Sequence, residues 1–203
     1  MTELDPSRTA VINVHWQRDI MKADGAFGPF FAEPAERRGV VAVTDRLNRA
    51  ARDVGATVVH SRVAFRPGHA DLFVNCPLLA LVAEHKALED GSAGAAIIKE
   101  LTPEPGDLVV THPRLTGFHG TDLDVLLRGK GIDTVLFTGV ATNISVEGTA
   151  REAVNYGYRT VIVSDACSAA SDEAHQATLD SFALLGEVST ADALVAALSA
   201  HPQ

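Results

Sequence analysis

Cysteine is scarce. Cys76 and Cys167 are the only two in 203 residues, and they lie far apart with no CxxC or Cys/His spacing. That excludes a disulfide framework and offers no zinc motif. Basic residues are also few, 17 Lys and Arg against 26 Asp and Glu, and none form a block. A formal net charge of -9 argues for solubility and against a nucleic-acid-binding surface. No run approaches the ~18 apolar residues that a membrane span needs. Residues 1–8 are polar and lead into one short apolar run, without the basic start and long apolar core of a secretory leader. A cytoplasmic location is the expectation. No Gly-x-Gly-x-x-Gly and no Gly-Lys-Ser or Gly-Lys-Thr loop occurs, so dinucleotide and nucleotide binding have no support. No cofactor is expected.

What is present is an ordinary globular balance, 46% hydrophobic and 21% charged, in a chain long enough to bury a substantial core. One domain over 1–203 is the expectation. Short β-branched runs at 9–14, 56–62, 107–111, 134–138, 159–164 and 186–189 read as strands. Being apolar on both faces, they belong in a parallel sheet covered by helices. Helical patterns fill the crossovers at 39–54, 122–128, 143–156 and 171–185, the first closed by Gly55. This rhythm predicts an α/β fold: a three-layer, doubly wound α/β/α domain with a mainly parallel six-stranded sheet. Residues 21–34, with Gly25, Gly28 and Pro29, and residues 66–77 read as loops after strands, where such folds place binding loops.

Ligands in doubly wound sheets sit beyond the carboxyl ends of the strands, so polar residues there carry the information. The first strand ends at HWQRD (15–19), the second at HSR (60–62), the third at THPR (111–114), and the fourth runs into GVATNIS (139–145). His15, His112 and Ser145 thus come to one rim. Aligned with them are the run GVATNISVEGTAREA at 139–153, THPRLTGFHGTDL at 111–123, residues 11–19, and SDACSA at 164–169.

These segments resemble those of the isochorismatase-like cysteine hydrolases, a family that includes nicotinamidases and other small amidases. The resemblance runs from about 9 to 194. It implies the fold and an Asp, Lys and Cys triad in which the Cys attacks a carbonyl. Matched residue by residue, this chain carries His15, His112 and Ser145 at those positions. The positions of the nicotinamidase metal cluster read Arg62 and Ala64, so no metal is expected. The resemblance also implies a cis peptide between Val140 and Ala141, with the N–H groups of Ala141 and Ser145 forming an oxyanion hole, each donor worth roughly 3 kcal/mol. It further implies a small-molecule substrate and a homodimer or larger homo-oligomer.

A serine hydroxyl needs an adjacent base, and histidine, with a reference pKa of about 6.5, suits that role. Serine-type hydrolysis of a small amide, ester or imide, with His15 or His112 as base, is the leading expectation. Acid–base chemistry without a covalent intermediate, a non-catalytic ligand binder, and a metal held by His15 and His112 are the alternatives. The blander reading of Ser145 is a helix-start serine bonding the backbone. Trp16, Arg62, Phe27, Phe118 and Arg114 are candidates for substrate contact, as is His69 in its loop. His60 and Phe65 fit packing as well as a pocket, and Asp19 fits a structural hydrogen bond. His119, His175 and His201 read as surface or helix residues.

Overall fold

The computed structural model describes residues 4–200. Six strands form one sheet: β1 (Thr9–Val14), β2 (Thr57–Val63), β3 (Leu108–His112), β4 (Thr134–Val140), β5 (Arg159–Ser168) and β6 (Glu187–Ser189). Their order is β3-β2-β1-β4-β5-β6 and every pairing is parallel. The chain builds outward from β1 to one edge, then returns to place β4 on its other side. That reversal makes the carboxyl ends of β1 and β4 the switch point, where neighbouring loops diverge and leave a crevice.

Helices cover both faces. Val135, Phe137 and Ile162 pack with Leu123 and Leu127 of α5 (Leu123–Gly129), Ala150 of α6 (Glu147–Asn155) and Phe182 of α7 (Asp172–Phe182). On the other face Val11, Leu136 and Val161 meet Leu47 of α3 (Val40–Asp53) and Leu194 of α8 (Ala191–Ser199). A third apolar cluster lies over the strand ends. It draws on α1 (Arg18–Met21), α2 (Gly28–Arg38) and α4 (Pro77–His85). No helix among the described residues is long and apolar enough to cross a membrane.

The departures from expectation concern breakers and short apolar runs. Residues 28–34, read as loop, begin α2, because Pro29 sits in the first turn where its missing N–H is harmless. α4 likewise starts on Pro77, the last residue of the second expected loop. The fifth strand runs four residues beyond 164, to Ser168, where Cys167 and Ser168 pair with Gly139 and Val140.

Gly139 is the tight point of this architecture. Its φ is +138°, and an added Cβ would lie 2.2 Å from the Val14 carbonyl oxygen. Gly139→Ala should therefore push β4 from β1 and destabilise the fold by on the order of 1–3 kcal/mol. Urea unfolding would measure it, and an unchanged midpoint would show that the strand ends yield freely.

Candidate active site

β1 ends in a sharp turn. His15 adopts φ 60°, its N–H donates to the Ser61 carbonyl at 2.9 Å, and its own carbonyl accepts from Gln17 N–H at 2.8 Å. This left-handed conformation is sparsely populated for a residue with a side chain. It aims the imidazole across the end of β2 instead of continuing the strand. Gln17, fully buried, ties the same ends together: its amide donates to the Val63 and Ala95 carbonyls and its oxygen accepts from Val63 N–H.

His112, the last residue of β3, comes to meet it. The two Nε2 atoms are 3.3 Å apart and the rings stack with centroids 5.1 Å apart. His112 Nδ1 faces the Arg114 carbonyl oxygen at 2.9 Å, which can only accept, so Nδ1 carries the proton and Nε2 keeps a lone pair. The Ser61 hydroxyl lies 3.0 Å from the same nitrogen and shares its single lone pair with His15. Two bare nitrogens would repel, so His15 Nε2 carries a proton and also points it there. His15 Nδ1 is left unprotonated, the free basic nitrogen of the pair. Period-two alternation explains the part Ser61 plays: its side chain faces the site while those of His60 and Arg62 face away.

β4 ends in the cis peptide Val140–Ala141, followed by a wide turn, Thr142–Val146, before α6. Ile144 and Val146 N–H both donate to the Ala141 carbonyl, at 3.1 and 3.2 Å. The bond that an α-turn would draw from Ser145 N–H to that oxygen is the one skipped. Ser145 is 4% exposed, and no described residue hydrogen-bonds its hydroxyl. The capping reading of this serine therefore fails, since neither the turn nor α6 has a side-chain cap.

His15, Ala141 and Ser145 line one cleft over the switch point. Phe27 and Arg114 also line it. Trp16, Arg62 and Phe118 do not. Trp16 turns beneath the strand ends, where its Nε1–H donates to Thr138 Oγ1 at 3.1 Å. Arg62 is held by Asp90 and Thr111 on the far side of β2. Phe118 stacks on Tyr156 within the cluster under α5 and α6.

Among the remaining histidines, His60 is buried against Asp107, and His69 bonds the Ala87 carbonyl. His119 is exposed, His175 is buried in α7, and His201 lies outside the described residues. Asp19 accepts from Leu88 N–H at 2.9 Å, the structural bond expected of it. Cys167 is buried, and burial pushes its thiol up to about 12, far from a thiolate.

The lining that sequence reading missed is mostly apolar: Leu79 and Val82 of α4, with Ile20, Phe31, Leu88 and Ile144. The helical spacing of Leu78, Leu79 and Val82 after Pro77 was the available signal. Neither Arg62 nor Ala64 offers a metal ligand. No group of three or more His, Cys, Asp and Glu among the described residues could hold a metal ion.

Burial sets the charge of the pair. Desolvation, reinforced by His112, holds His15 well below the usual histidine value. Desolvation also lowers His112 to about 4, against the opposing bond to the Arg114 carbonyl.

Fold and site together define a three-layer α/β protein with a polar constellation on an apolar cleft at the sheet's switch point. An isochorismatase domain model matches residues 9–193, and the chain belongs to that family. The uncharacterized isochorismatase family protein YwoC of Bacillus subtilis is 49% identical over 85 residues, 42% of this chain and 45% of that protein. Ureidoacrylate amidohydrolase RutB of Methylobacterium radiotolerans is 43% identical over 98 residues, 48% of this chain and 38% of that one. The matched segments thus span less than half the length of these curated relatives. The crystal structure of a cysteine hydrolase from Pseudomonas syringae pv. phaseolicola superposes with a TM-score of 0.89 at 25% identity, covering 98% of this chain and 96% of that one.

Both site histidines have folded values below the unfolded value near 6.5, so the unfolded chain binds protons first as pH falls. Stability present above pH 6.5 should therefore drain away as pH falls, down to about pH 4 for His112, by up to ~1.4 kcal/mol per pH unit for each histidine. Urea midpoints across that range should show the fall, and His112→Asn should make it shallower. An equally steep fall in the variant would clear His112 of any part in it.

Proposed function

We propose that this protein is a hydrolase of small amides or esters in which Ser145 is the nucleophile and His15 the general base. The observation that carries this reading is the shared cleft: Ser145 and His15 both open onto it, and the nitrogen behind His15 is the buried lone pair of His112. The family includes a curated amidohydrolase among the relatives above, which supports a C–N or ester bond as the target.

In the proposed reaction Ser145 Oγ attacks the carbonyl carbon as His15 takes its proton. The carbonyl oxygen becomes an oxyanion, held by the N–H groups of Ala141 and Ser145. Collapse reforms the carbonyl, and His15 hands its proton to the departing amine or alkoxide. Water then attacks the acyl-serine with His15 again as base, releasing the acid and restoring the hydroxyl. His112 takes no proton. Its lone pair accepts from His15 Nε2–H, fixing the tautomer and supporting the imidazolium, as a carboxylate does in the serine triad. A desolvated imidazolium is a strong acid, suited to protonating a poor leaving group.

Ser145→Ala should abolish turnover and the covalent adduct formed by a fluorophosphonate, read by intact mass. His15→Ala should lower kcat/KM by roughly 10²–10⁴-fold. The reverse pattern, a mild effect at Ser145 with loss at His15, would replace this reading with proton transfer that forms no acyl-serine.

The pH profile gives a separate check. Because burial and His112 depress His15, the acid limb of kcat/KM should lie below pH 6.5, so activity persists where an ordinary histidine is already protonated. A limb at or above pH 6.5 would exclude His15 as the base.

A further inference from the structure

We propose that the cleft takes neutral substrates with a compact hydrocarbon acyl group and selects against substrates that carry a carboxylate. This rests on the reading of Ser145 and His15 given above, and it names the class of molecule on which they would act.

The walls carry the argument. Apart from His15, Ser145 and Arg114, the lining side chains are aliphatic or aromatic. Phe27 and Phe31 come from the segment after β1, Leu79 and Val82 from α4, and Ile144 from the nucleophile turn. His15 supplies no positive charge, since burial keeps it unprotonated. Beyond Ser145 and the backbone N–H groups assigned to the oxyanion, a carboxylate carried on the acyl group would give up its hydration and find only aliphatic and aromatic walls and Arg114. A hydrocarbon group loses nothing of that kind and gains from leaving water.

Arg114 is the one charged residue on the lining, and its side chain is already engaged. Nη1 donates to the Phe73 carbonyl at 3.0 Å and Nη2 to Asn75 Oδ1 at 2.9 Å. Those bonds tie the segment leading into α4 to the strap after β3. The main-chain carbonyl of the same residue orients His112. Arg114 is therefore a brace that joins the mouth of the cleft to the histidine pair. Both acceptors lie outside the cleft lining, so the two bonds draw the guanidinium toward the segment before α4.

The test uses Ser145→Ala, so that binding is read without turnover. Isothermal titration with acetamide, propionamide and butyramide should give a Kd falling roughly fourfold per added methylene, which is about 0.8 kcal/mol each. Succinamate, which extends the same amide chain with a terminal carboxylate, should bind roughly tenfold or more weaker than butyramide. Arg114→Met should shift butyramide and succinamate by the same factor. Succinamate binding as well as butyramide, a flat amide series, or no amide binding at all would overturn the proposal. So would a loss in Arg114→Met confined to succinamate, which would make that residue an anion anchor. These readings do not depend on nucleophilic chemistry. A fluorophosphonate that fails to label the unmodified protein, with the binding order intact, would sink the serine mechanism and leave the substrate class standing.

Discussion

Two buried imidazole nitrogens 3.3 Å apart hold one proton between them far more readily than two. The arrangement of the cleft depends on that constraint. Because the Arg114 carbonyl claims a proton at His112 Nδ1, the shared proton belongs to His15 Nε2, and the opposite nitrogen of His15 is free to act. The backbone serves the same end. The left-handed conformation at His15 and the last residue of β3 bring side chains from two strands that do not pair into contact.

The apolar cleft and the histidine chemistry have one physical cause. Packing Phe27, Phe31, Leu79 and Val82 over the strand ends removes water from the rim. The same desolvation that makes the walls suited to hydrocarbon keeps both rings neutral at physiological pH. A neutral ring keeps the lone pair that the proposed role of base needs. In the proposed mechanism the centre therefore works with few fixed charges. It relies on hydrogen-bond direction and on the backbone donors of the turn after β4.

Below this layer, a chain of buried polar groups keeps the strand ends in register. Trp16 Nε1–H donates to Thr138 Oγ1, Thr138 donates to Asn13, and Asn13 donates to Asn48. Each hydroxyl or amide in it has a partner, which is the condition for placing such groups in a core. Trp16 is a beam of this scaffold. Its position directly after His15 in sequence says nothing of the cleft, because the turn at His15 sends successive side chains to opposite sides.

The sequence alone determined the sheet and most of its cover. β-branched runs that are apolar on both faces can be stable only between helices, and their spacing sets parallel crossovers. It also determined which polar residues stand at strand ends, because strand ends follow from those runs, and so His15, His112 and Ser145 were legible as a rim. Short elements were not. α2 hides behind Gly28, Pro29 and Pro34, and α8 offers only nine residues of ordinary helical composition. Tertiary structure decided the rest: that the His15 and His112 nitrogens meet, that Ser61 backs them, and that α4 walls the cleft. It also decided that Trp16, Arg62 and Phe118 point elsewhere. Local pattern fixes which face of an element is apolar, but which side chains share one water-poor space depends on how distant elements pack, and no short window of sequence contains that.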